Sequence, residues 1–336
     1  MIPWRKTSTH AGKQAPQDAK KVLVIKLGGL GEFIQSLAAA KLIRDYHVGA
    51  RITLLTTPEL KEIGEKCPYF DVVDPGGRPA EPQAITQLIG RIRSAKYDMI
   101  YDLEGSNRTT NYFHGLRPWP PLWSGVTPGC SHPFLDPARD RMHMLDRFAG
   151  QLGASGIGDG APLVPDLSWL RGALRDAPRL QPDYFGVRGR YVLLLPRGAV
   201  SNQARWPDAK YADLAFRIAS HGVTPVVLGG SEERDMGAAI ARGEPRTKNL
   251  VARADLFQSA GLAERAAFAL GEDVDLMHVA AAAGAPCLVF LQPGQTAPRG
   301  RGGVIALTAP AIADIPVEQV ERQLRNCGVY REAATA

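Results

Sequence analysis

Short apolar runs of strand length recur along this chain, each followed by a helix-length segment, and that alternation limits the folds open to it. Lys21–Leu27 (KVLVIKL) is apolar and β-branched, and Gly28-Gly29-Leu30-Gly31 breaks it. From Phe33 to Ile43 the apolar residues fall at helical spacing. Ile52–Thr56 reads as the next strand, and Pro58 suits a helix start. A short strand at Asp71–Val73 runs into a Pro-Gly-Gly turn. Ala84–Ser94 reads as helix, and Asp98–Leu103 as a strand ending at Glu104-Gly105. Buried strands alternating with helices predict a parallel sheet covered on both faces.

The segment 117–137 (RPWPPLWSGVTPGCSHPFLDP) breaks the pattern and excludes a regular helix. It is expected to be a long functional or mobile loop, a candidate lid on the acceptor side. A helix is expected over Asp140–Leu152, and 153–188 reads as a connection between domains. The second half then repeats the scheme. Tyr191–Leu195, Val223–Leu228, Ala266–Leu270 and Cys287–Leu291 are strands. Pro207–Ser220, Leu276–Ala283 and Pro316–Leu324 are helices, and Ser231 is expected to cap another. Two such halves in series predict two doubly wound domains facing across a cleft, with ligands beyond the carboxyl ends of the strands.

Composition narrows the class further. At about 150 residues per domain, 336 residues suit two domains, and 45% hydrophobic content excludes a disordered chain. No run approaches the roughly 20 apolar residues of a membrane span. The four cysteines are far apart and form no C-x-x-C pair, which fits reduced thiols in a cytosol. The polar, basic N-terminus lacks the apolar core of a signal peptide, and residues 1–20 are read as a flexible basic tail. Forty Lys+Arg against 34 Asp+Glu leave a net charge of +6. That balance fits either an anionic partner (a phosphorylated lipid, a membrane surface or a nucleotide) or a plain solvated surface. No basic run is interleaved with aromatics, so nucleic acid is not an expected partner.

Four motifs sit where strands end. Gly28, Gly29 and Gly31 expose backbone N–H groups at a helix start, without the dinucleotide spacing. Glu32 follows, placed either at the cleft mouth or only to favour the positive helix end. In the second, Asp102, Glu104, Asn107 and Arg108 either hold sugar hydroxyls or phosphate, or form a helix cap with a solvated arginine. The third places Arg197, Ser201 and Arg205 around one loop suited to a diphosphate without a metal; Trp206 beside them reads as a core anchor. The fourth opens a helix with Asp273, Val274, Asp275, Leu276 and His278. Its two carboxylates and one histidine have no defined ligand spacing, so no metal is expected, and His278 touches either a phosphate or the core. No G-x-S-x-G elbow or P-loop occurs.

Taken in order, these segments resemble the heptosyltransferase family, the bacterial glycosyltransferases of the lipopolysaccharide inner core. The similarity runs from about Lys21 to Pro298. Its landmarks are Leu30-Gly31-Glu32; Tyr97-Asp98 leading to Asp102-Leu103-Glu104-Gly105 and Arg108; Pro196, Gly198-Ala199 and Arg205-Trp206-Pro207; Gly229-Gly230; Asp273 with Met277-His278; and Phe290 with Pro293. The resemblance implies an α/β chain of GT-B type, with a Rossmann-like acceptor domain at 21–165, a linker at 166–188, a nucleotide-sugar domain at 189–312 and a C-terminal helix and tail at 313–336. It implies inverting transfer from a nucleotide-diphosphate sugar, with no metal or other cofactor, to an anionic glycolipid or saccharide acceptor.

Glu32 falls at the position of the catalytic base. Arg197, Ser201, Arg205, Asp273, Val274, Asp275, Leu276 and His278 fall on the donor side, and Gly29, Gly31, Glu104, Asn107 and Arg108 on the acceptor side. A cytoplasmic location with peripheral contact on the inner membrane is expected. The chain departs from the family pattern at Glu32, where Asp is usual. It departs again at Ala204 for a Lys, Asp275 for a Gly and Leu276 for a frequent Pro. The alternative reading is therefore a catalytically impaired or non-catalytic relative that binds saccharide or glycolipid in envelope biogenesis.

Overall fold

Val22, Leu23, Val24 and Ile25 cannot face water on either side, so β1 (Lys21–Ile25) forms the buried centre of a parallel sheet. The computed structural model describes residues 15–158, 161–170, 178–198, 205–272 and 274–330. The chain divides into two units, Met1–Leu163 and Val164–Ala336.

In the first unit β1 is followed by α1 (Leu30–Tyr46), β2 (Arg51–Leu55), α2 (Lys61–Lys66), β3 (Val72–Asp74) and α3 (Pro82–Ala95). Next come β4 (Met99–Asp102), α4 (Asn107–Gly115), β5 (Leu122–Gly125), β6 (His132–Pro133) and α5 (Met144–Ala154). The six strands are parallel in the order β3-β2-β1-β4-β5-β6. The strand order reverses between β1 and β4, whose register sets Ile25 beside Asp102.

The second unit repeats this order. It contains β7 (Tyr191–Leu195), α6 (Asp208–Ser220), β8 (Thr224–Val227), α7 (Arg234–Gly243), β9 (Lys248–Asn249) and α8 (Leu256–Arg265). They are followed by β10 (Phe268–Glu272), α9 (Asp275–Ala283), β11 (Cys287–Leu291), β12 (Val304–Thr308) and α10 (Val317–Asn326). Its sheet runs β12-β11-β10-β7-β8-β9, so the reversal falls between β7 and β10. Alternate side chains supply two cores. Val192, Leu194 and Leu270 pack on one face, and Leu193, Leu195 and Ala269 on the other. The expectation of two doubly wound α/β units is met by both sheets.

Three local expectations fail. Segment 117–137 is not one long loop, because it carries β5 and β6. These strands are too short for any periodicity to reveal them. They form because β4 offers a ladder: Ile100 pairs with Trp123, and Trp123 is fully buried, 5.4 Å from Phe113 ring to ring. Within residues 15–20, Ala15 and Ala19 are buried rather than tail-like, while Gln17, Asp18 and Lys20 are exposed. Ala15 is buried, donates its N–H to Ser155 at 2.9 Å and accepts the Tyr46 hydroxyl at 2.7 Å. Ser231 opens a 3-10 turn instead of capping a helix. Helix α8 escapes the periodicity reading, yet Asp255 and Gln258 cap it reciprocally. No helix among the described residues is long and apolar enough to cross a membrane.

Candidate functional site

Each unit brings two strand ends together at its order reversal, the place where open α/β sheets bind ligands. In the first unit the loops after β1 and β4 meet through Lys26. Its ammonium lies 2.7 Å from Glu32 Oε2 and 3.0 Å from Glu104 Oε2, and the lysine side chain is only 4% exposed. Glu104 Oε2 also accepts the Leu27 N–H at 3.0 Å. Burial pushes the Glu104 carboxyl up, and Lys26 and these bonds outweigh it, holding the group below the usual carboxylate range. Gly28 leaves room for this ion pair. A Cβ there would collide with Glu32 Oε2 and lie 2.9 Å from Lys26 Nζ.

Glu32 is the third residue of α1, and its side chain is 51% exposed. Lys26 engages Oε2, while Oε1 has no hydrogen-bond partner among the described residues. The carboxylate lines a pocket of about 100 Å³ with Lys26, Asp102, Glu104, Arg139 and Arg147. Asp102 ends β4 fully buried. Its Oδ1 accepts the N–H groups of Gly105 at 2.9 Å and Glu104 at 3.1 Å. Desolvation pushes its carboxyl up to about 6 against those bonds.

The other acceptor-side candidates spread out. Gly29 is the exposed N-cap of α1, and Gly31 is buried inside its first turn. Asn107 is the exposed first residue of α4, and Ser106 caps that helix. Arg108 is not simply solvated: it donates to the Pro79 carbonyl at 2.9 Å. Glu104 and Glu32 therefore share the pocket, and Asn107 and Arg108 do not line it.

In the second unit Arg197 follows β7 half-buried, and Arg205 sits half-buried before α6. Val274 is the N-cap of α9, Asp275 its exposed first residue, and Leu276 and His278 are half-buried within it. Asp275 sits at the positive helix end. Ser201, Ala204 and Asp273 lie outside the described residues.

Two carboxylates tie these loops together. Glu233 accepts the N–H groups of Gly198 at 2.9 Å and Gly230 at 2.7 Å, linking the ends of β7 and β8. Glu272 ends β10 with no exposure, accepting the Trp206 N–H and the Tyr211 hydroxyl, each at 2.5 Å. Burial pushes its carboxyl up to about 7, with the Tyr211, Trp206 and Arg197 bonds pulling the other way. Gly271 lets β10 close against β7, since a Cβ there would meet the Leu195 carbonyl oxygen and φ is +154°. Trp206 is the core anchor expected, fully buried against Tyr211 and Phe290. Among the described residues no group of three His, Cys, Asp or Glu is placed to hold a metal ion.

Sequence reasoning missed Lys26, Asp102 as a buried acid, Arg139, Arg147, Glu233 and Glu272. Lys26 had a signal. A lysine ending an apolar strand must find a carboxylate, because a buried charge is costly unpaired.

Two Rossmann-like units of this order, each with polar groups at its reversal point, define the GT-B class of glycosyltransferase folds. Residues 166–299, all within the second unit, match the model of glycosyltransferase family 9 (heptosyltransferase), and that match supports a glycosyltransferase. The heptosyltransferase resemblance therefore holds.

Solved structures agree on the fold. A glycosyltransferase family 9 protein from Veillonella parvula superposes with a TM-score of 0.79 at 17% identity, over 94% of this chain and 99% of that one. The ADP-heptose lipopolysaccharide heptosyltransferase II of E. coli gives 0.74 at 18%, over 93% and 100%. E. coli heptosyltransferase WaaC with ADP gives 0.73 at 16%, over 91% and 99%. No curated protein matches the sequence.

Proposed function

We propose that this protein is an inverting glycosyltransferase that moves a heptose-like sugar from a nucleotide-diphosphate donor to an anionic acceptor of lipopolysaccharide type. The observation that carries the reading is Glu32. It is a half-exposed carboxylate held by Lys26 at the order reversal, and it lines a pocket that Arg139 and Arg147 also line. Glu32 takes the proton of an acceptor hydroxyl as that oxygen attacks the anomeric carbon and the nucleoside diphosphate leaves. Arg139 and Arg147 suit an acceptor bearing phosphate or carboxylate. On the donor side, Arg197, Arg205 and the peptide N–H groups opening α9 take up charge on the diphosphate, so the reading requires no metal. The ligands named with related structures support a nucleotide sugar, as WaaC was solved with ADP and with ADP-2-deoxy-2-fluoro heptose. Action at the cytosolic face of the inner membrane, in peripheral contact with it, completes the proposal.

The test is transfer from a panel of ADP- and UDP-linked sugars. Glu32→Gln is expected to slow turnover by about 10²–10⁴-fold while donor binding stays intact. Normal turnover by the variant removes Glu32 as base. A product linkage of the same anomeric configuration as the donor overturns inversion. Turnover lost in chelator and restored by a divalent cation overturns metal independence.

A further inference from the structure

Glu272 is a buried carboxylate with no ion-pair partner among the described residues. Burying a carboxyl without a countercharge is costly unless its hydrogen bonds are specific. Its two oxygens serve different elements. Oε1 receives the backbone N–H of Trp206, the residue after Arg205, and Oε2 receives the hydroxyl of Tyr211, in the first turns of α6. Trp206 is fixed in turn. Its indole N–H donates to the Ile315 carbonyl at 2.8 Å, and its ring meets Tyr211 edge-on at 4.8 Å between centroids. Two residues beyond Glu272, Val274 occupies the N-cap position of α9. One side chain at the end of β10 therefore holds the backbone at Trp206, just before α6, and the first turn of α6, with β10 and β7 flanking the reversal of this sheet.

We infer that Glu272 is the positioning residue of the donor site: it holds the backbone at Arg205–Trp206 against the α9 turn, so that a nucleoside diphosphate meets both in place. The inference rests on the transferase reading above. Glu272 touches no substrate in this role; it acts through Trp206 and Tyr211. A preassembled site spares the ligand the cost of ordering these loops, which is gained back as affinity.

Calorimetric titration of ADP and UDP, with donor and acceptor KM and thermal unfolding, tests this on the full chain. Glu272→Leu is expected to weaken the bound diphosphate by about tenfold, the size of losing one to two net hydrogen bonds. Donor KM rises with it, while acceptor KM and kcat at saturating donor stay within about threefold. Glu272→Gln keeps an acceptor oxygen for the Trp206 N–H and recovers most of the affinity. Should Glu272→Leu not fold, Tyr211→Phe removes one partner at constant core shape and gives an intermediate loss. Wild-type protein that binds neither nucleotide overturns the transferase reading and this inference together. Diphosphate binding by wild type that the folded variants leave unchanged, or a loss that falls equally on acceptor KM, overturns the positioning role alone.

Discussion

Lys26 Nζ lies 2.7 Å from Glu32 Oε2, joining the residue after the first strand to the first turn of the helix that follows. The same ammonium reaches Glu104, 78 residues away in sequence. One buried cation thus sets the geometry of the proposed base and closes the two loops over the pocket.

Removing that cation leaves Glu104 buried and uncompensated. Lys26→Met is expected to cost about 3 kcal/mol, the lower range for breaking a buried pair, since Glu32 is half exposed and regains water. Pairing it with Glu104→Gln recovers much of the loss. Urea unfolding of the two single variants and the double variant measures the coupling, and strict additivity shows that the pair contributes nothing.

Gly28→Ala separates site geometry from fold. The added Cβ meets the ends of two flexible side chains, Glu32 and Lys26, and no backbone. The carboxylate is displaced by about 1 Å, which lowers turnover about 100-fold. The melting temperature moves by only a few degrees. A variant with unchanged turnover places the working carboxylate elsewhere.

His47 makes the first unit sensitive to acid. It is fully buried, with Nε2 2.7 Å from the Tyr101 hydroxyl. Desolvation, with a smaller push from Arg44, lowers it from 6.5 to about 4. The unfolded chain therefore binds a proton below about 6.5 that the folded chain refuses until about 4. Its contribution is fully present above 6.5 and falls by about 3 kcal/mol as pH drops through that window. Glu272, raised to about 7, acts oppositely: its contribution favours folding at low pH and is lost as pH rises toward 7. The difference between wild type and His47→Gln isolates the histidine. Unfolding free energies from pH 7.5 to 4.5 are expected to fall less steeply for the variant, and parallel curves refute the assignment.

The strands that matched their sequence reading share one property. Tyr191–Leu195 and Cys287–Leu291 are unbroken apolar runs buried on both faces, so local composition and tertiary environment demand the same conformation. Where strands are short or partly exposed, that agreement fails. Leu122–Gly125 lies among prolines and is a strand only because β4 pairs with it, and Val304–Thr308 is a partly exposed edge strand that periodicity passes over. Helix α8 was not read from the sequence; its signal is the Asp255–Gln258 capping pair and not a periodic one.

The order of apolar runs, turns and strand-end polar groups was enough to determine two doubly wound units and to bring attention to Glu32, Glu104, Arg197 and Arg205. Tertiary structure alone decided which of these residues meet. Lys26 finds Glu104, and Trp206 finds Glu272 at 66 residues' separation, through the reversal of strand order in each sheet. Local sequence governs backbone preference and burial pattern. The pairing of charges across strand ends depends on register and topology, which no short stretch of chain encodes by itself.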